Sequence, residues 1–81
     1  MPNYYIKRQG TDVVVSVLDN GVEQSVCMPE RVFLDIVEDV RGMPEVQAYP
    51  VGLEVHGAQV ELPFVELERL ARQLQGFGLP N

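Results

Sequence analysis

The stretch from 12 to 29, DVVVSVLDNGVEQSVCMP, decides the fold. Asn20-Gly21 supplies the two positive-φ positions of a type I′ turn, the connection whose twist matches that of the strands it joins. That turn sets a register of Asp19 with Val22, Val17 with Gln24, Val15 with Val26 and Val13 with Met28. Because strand side chains alternate faces, Val13, Val15, Val17, Val22, Val26 and Met28 share one side, and that side is almost wholly apolar. A second hairpin of the same grammar lies at 51–62, where His56-Gly57 is the turn and Val51, Leu53, Val55, Ala58, Val60 and Leu62 form the apolar side. Gly52, Glu54, Gln59 and Glu61 point the other way.

A helix pattern follows each hairpin. Counting from Pro29 and from Pro63, the offsets match: Phe33 with Leu67, Ile36 with Leu70, Val37 with Ala71, Val40 with Leu74, Gly42 with Gly76 and Met43 with Phe77. Apolar residues at +4, +7, +8 and +11 form one stripe of a 3.6-residue helix. Each proline falls in a first turn, where its missing N–H costs nothing, and each glycine falls where a left-handed C-cap is expected. The chain therefore reads as a single α+β domain over 1–81, a pseudo-repeated (ββα)2 with units at 12–43 and 51–77. A linker at 44–50 joins the units, and an extra strand near Tyr4 to Arg8 precedes them. A two-layer arrangement is expected, with an antiparallel sheet on one side and two helices on the other face.

Composition narrows the functional classes. The 81 residues are 46% apolar and 22% charged, ordinary for a globular chain, with a net charge of −6. Such acidity argues against direct nucleic-acid binding and against an anionic membrane surface, so the expected partner is a protein. The lone Cys27 fits no internal disulfide, and Met1 to Arg8 carries no basic, apolar leader, which leads to the expectation of a cytoplasmic location. Size and charge are similar to those of small phage and mobile-element products that inhibit host proteins, including anti-CRISPR proteins that occupy basic nucleic-acid grooves.

No set of residues names a reaction. His56 is the only histidine and belongs to a turn, where solvent is the normal neighbour. One histidine with Glu54 and Glu61 is a poor metal set, so neither a metal nor a cofactor is expected. Cys27 lacks a histidine partner and a second cysteine, and reads as a small apolar filler. Gly76-Phe77-Gly78 follows a helix instead of opening one, so it makes no phosphate cradle. The expectation is a protein that is not an enzyme.

Two surfaces remain as partner candidates. The acidic one comprises Asp35, Glu38 and Asp39 on the first helix with Glu54 and Glu61 on the second hairpin. The stretch from Asp12 to Glu68 holds all twelve acids and only Arg31 and Arg41, so the acidity is concentrated there and suits a partner with a basic surface. The apolar surface is the back of the first hairpin, with Val14, Leu18 and Cys27, to which Leu34, Tyr4 and Tyr5 are added. The first strand, a second copy in a homodimer, or an assembly partner would cover it.

Overall fold

The computed structural model describes residues 1–76 and is α+β, with two antiparallel sheets and two helices. β1 (Asn3–Gln9), β2 (Asp12–Asp19) and β3 (Val22–Pro29) form a three-stranded sheet in that order. α1 (Glu30–Arg41) follows directly, then a 3-10 turn at Val46–Ala48, β4 (Val51–Val55), β5 (Ala58–Leu62) and α2 (Phe64–Gly76). β4 and β5 pair only with each other. Strand spacing leaves open whether the five strands make one continuous sheet, and they make two: the second hairpin packs across β3 and β2 and does not extend their hydrogen-bonded ladder.

Both hairpin turns take the conformation their sequence dictates. Asn20 and Gly21 have φ of 54° and 78°, and His56 and Gly57 have 51° and 86°. The registers follow, with Val15 opposite Val26 and Leu53 opposite Val60. The helix ends depart from expectation. Pro29 and Pro63 stand just before their helices and not inside the first turn, and the Pro63 carbonyl accepts from the N–H groups of Glu66 and Leu67 at 3.0 Å each. Gly42 has a φ of −82°, not a left-handed value, and its N–H is held by the Glu38 and Asp39 carbonyls at 3.2 Å. Gly76 is still part of α2, and Phe77 lies outside the described residues. The linker is anchored rather than slack, because Gln47 Nε2 donates to the Val40 and Arg41 carbonyls at 3.0 and 3.2 Å and so satisfies acceptors that the end of α1 would leave open.

One core joins all of these elements. Ile6, Val13, Val15, Val26 and Met28 come from the inner face of the large sheet, Phe33, Val37 and Val40 from α1, Leu53, Val60 and Leu62 from the second hairpin, and Leu67, Leu70, Ala71 and Leu74 from α2. α2 packs chiefly on β1 and not on the hairpin that precedes it. Arg69 donates to the Tyr4 carbonyl at 2.7 Å and Arg8 to the Leu74 carbonyl at 2.9 Å, so the helix and the strand run side by side in the same direction. The Leu74 bond also places a cation at the negative end of the helix dipole.

Candidate protein-interaction surfaces

Three surfaces follow from this packing. The first is the outer face of the three-stranded sheet. Alternation along the strands sends Tyr5 and Lys7, Val14, Ser16 and Leu18, and Glu23, Ser25 and Cys27 outward, while Ile6, Val13, Val15, Val26 and Met28, of the opposite parity, point into the core. Val14 and Leu18 are half-buried, Tyr5 is 38% exposed, and Cys27 is exposed, not the apolar filler expected of it. Of the three possible covers for this face, β1 is not one, because it pairs edge-on with β2 and widens the face. Of Tyr4, Tyr5 and Ile6, Tyr5 alone joins it, since Tyr4 and Ile6 point inward onto the core.

A short polar network crosses the same face. Tyr5 sits opposite Ser16 and Ser16 opposite Ser25, and the two serine hydroxyls share a hydrogen bond of 2.8 Å. Ser16 is only 3% exposed, the one buried polar residue among those described, and this bond is what makes its burial tolerable. The Glu23 carboxylate near the Tyr5 hydroxyl favours the protonated phenol and raises it above its ordinary value. Asp12 Oδ2 lies 3.9 Å from Cys27 Sγ at the far end of the face.

The second surface is the exposed side of α1. Asp35 and Asp39 are open to solvent, whereas Glu38 is engaged by Arg41. Leu34, expected as a contact residue, is half-buried and packs against the core. It lines a shallow depression with Gly10, Thr11, Glu30, Arg31 and Asp35.

The third surface was not foreseen. It is a groove of about 670 Å³ lined by Pro2, Tyr4, Val17, Asp19, Val22, Gln24, Gly57, Gln59 and Glu61. Its origin is a mismatch in length. β2 and β3 have eight residues each and β4 and β5 only five, so at about 3.3 Å per residue the large sheet outruns the second hairpin by roughly 10 Å. The rung Tyr4–Val17–Gln24 lies at the rim of the core, with Tyr4 and Val17 half-buried against it, and the rung Asp19–Val22 lies one step further out, where Val22, assigned to the apolar inner face, is 62% exposed. Gln59 and Glu61, on the outward side of β5, form the facing wall. The predicted acids are thereby divided between two depressions: Glu61 lines the groove and Asp35 the hollow beside α1. Glu54 is exposed on the same side of the hairpin as Gln59.

The ion pairs explain where the negative charge is left. Arg8 pairs with Glu30 at 2.9 Å, Arg69 with Glu66 at 2.8 Å, and Arg41 with Glu68 at 2.6 Å as well as with Glu38; Arg72 lies 3.8 Å from Glu68. Among the described residues, Asp19, Asp35, Asp39, Glu54 and Glu61 take part in no ion pair. Nor does any group of three or more His, Cys, Asp or Glu side chains stand close enough to hold a metal ion. No helix among the described residues is long and apolar enough to cross a membrane. No protein-family model, curated protein or solved structure matches the chain.

Proposed function

We propose that this chain is a non-enzymatic protein-interaction module that docks an acidic surface onto a basic partner protein. The observation that carries the reading is the use of the cations. Arg8, Arg41, Arg69 and Arg72 pair with Glu30, Glu38, Glu66 and Glu68, two of the pairs across elements and three within a helix, so their charge is spent inside the fold. Asp19, Asp35, Asp39, Glu54 and Glu61 keep their charge for whatever approaches from outside. Within this reading the partner is a nucleic-acid-binding protein whose basic groove the acids occupy, as an anti-CRISPR-type inhibitor would. The matched turns and helices also support the finer architecture, two (ββα) units in two layers.

The test is capture on the immobilised chain at rising salt. Retention of a basic nucleic-acid-binding protein that falls steeply with salt, and that is lost on double charge reversal, Asp35→Lys with Glu61→Lys, is the expected result. A partner retained equally by that variant and at high salt overturns it.

The open face of the large sheet favours a second reading, a homodimer or assembly subunit that joins through Tyr5, Val14 and Leu18. Both helices and the second hairpin contribute to the core on the opposite side, and nothing from the chain's own core elements covers these residues. Leu18→Lys is a clean probe because it places an ammonium opposite Glu23, a favourable cross-strand pair that spares the fold. If this reading holds, light scattering gives twice the monomer mass for the parent chain and the monomer mass for the variant. A parent chain that is monomeric across the concentration range sinks it.

A further inference from the structure

We infer that the groove between the end of the large sheet and the second hairpin is the seat for an arginine- or lysine-bearing segment of the partner. This rests on the proposed docking to a basic protein and says where the docking is centred.

The groove has the two components that a long basic side chain requires. Tyr4, Val17 and Val22 give it an apolar floor, suited to the aliphatic stem of arginine or lysine, which gains by lying along apolar surface while its head stays polar. Asp19 on the sheet and Glu61 on β5 stand on its two sides, and neither is neutralised by a cation of the chain. No Lys or Arg lines it. Each carboxylate can make charge-assisted bonds to a guanidinium or ammonium of the segment, and Gln59 adds an amide oxygen as a further acceptor. The volume of about 670 Å³ lies within the range of sites that hold small ligands and exceeds what one side chain fills, so a short segment and not a single residue is the occupant. The hollow beside α1 is a poorer candidate for the same cation, because Arg31 lines it together with Asp35.

Titration of the isotope-labelled chain with a blocked hexa-arginine peptide at low ionic strength, followed by amide chemical shifts, tests the assignment. The expected perturbations centre on Asp19, Val22, Gln59 and Glu61. The near-isosteric double variant Asp19→Asn with Glu61→Gln should weaken binding by about tenfold or more, the loss of two charge-assisted contacts. Asp35→Asn with Asp39→Asn should leave the groove shifts in place. Perturbations confined to α1, or an affinity unchanged by the groove variant, overturn the inference while the acidic docking reading stands. A peptide that binds nowhere on the chain overturns both.

Discussion

Phe33→Ala should leave the chain largely unfolded at 37 °C. Phe33 is fully buried and is the largest of the side chains that have no exposure. It belongs to α1, which packs against β2, β3 and α2, and it is part of the one core that these elements share. Truncating a buried phenylalanine costs about 3–5 kcal/mol, through lost transfer free energy and the cavity left behind. A domain of 81 residues has roughly 4–12 kcal/mol in total. The loss is therefore comparable with the whole stability at the lower end of that range. Urea denaturation followed by far-UV circular dichroism should give a midpoint well below that of the parent, or no folded baseline at all. A midpoint shifted by less than the equivalent of about 1 kcal/mol would mean that the core closes around the gap or that Phe33 is not at its centre.

The features legible in the sequence are those set by a few neighbouring residues. Asn20-Gly21 and His56-Gly57 fix positive φ at two successive positions, and that local constraint determines both hairpin registers, Val15 to Val26 and Leu53 to Val60 alike. The helical stripes are equally local, and Phe33, Val37 and Val40, like Leu67, Leu70, Ala71 and Leu74, are buried as the spacing requires. What sequence spacing does not contain is the relation between units. Whether β5 adds to β3 by a ladder or crosses it by side-chain packing depends on how the connecting α1 and the Gln47-capped linker deliver the second hairpin, and no residue of β4 or β5 encodes that alone.

The candidate surfaces divide in the same way. Val14 and Leu18 are on the outer face because alternation places them there. Helical geometry alone puts Leu34 off the core stripe and aromatic character alone makes Tyr4 a contact candidate, and both pack against the core that neither reading includes. The groove is different again. The lengths of its walls were readable, eight-residue strands against five, but only once the short hairpin is known to lie across the long sheet does that difference become an open end lined by Asp19, Val22 and Glu61.

Arg41→Met is expected to lower stability at neutral pH by about 1–2 kcal/mol and to change how stability depends on acid. The i,i+4 spacing of Glu68 and Arg72 suggests a pair within α2, but Arg72 stands 3.8 Å away, whereas Arg41, 27 residues earlier, donates from Nε and Nη2 to the two Glu68 oxygens at 2.6 and 2.8 Å. That two-bond fork ties the end of α1 to α2. Glu68 is only 19% exposed, so it is less screened than the other ion-paired carboxylates, Glu30, Glu38 and Glu66. The Arg41 hydrogen bonds hold the Glu68 carboxyl below its ordinary value, and Glu68 in turn raises Arg41. A carboxyl depressed in the folded state contributes stability that is complete above its unfolded value, near 4.5, and is lost as pH falls through the lower folded value. The parent should therefore lose more stability than Arg41→Met on acidification below about pH 4.5, and the two should converge where Glu68 is protonated in both. Glu30, held low in the same sense by Arg8, titrates in both proteins and cancels from the comparison. Adding Glu68→Gln completes the cycle: in the Arg41→Met background it should cost less than in the parent. A stability difference between parent and Arg41→Met that stays constant from pH 7 to pH 3 would place the effect of Arg41 in packing of its aliphatic stem and remove the ion pair as the tie between the helices.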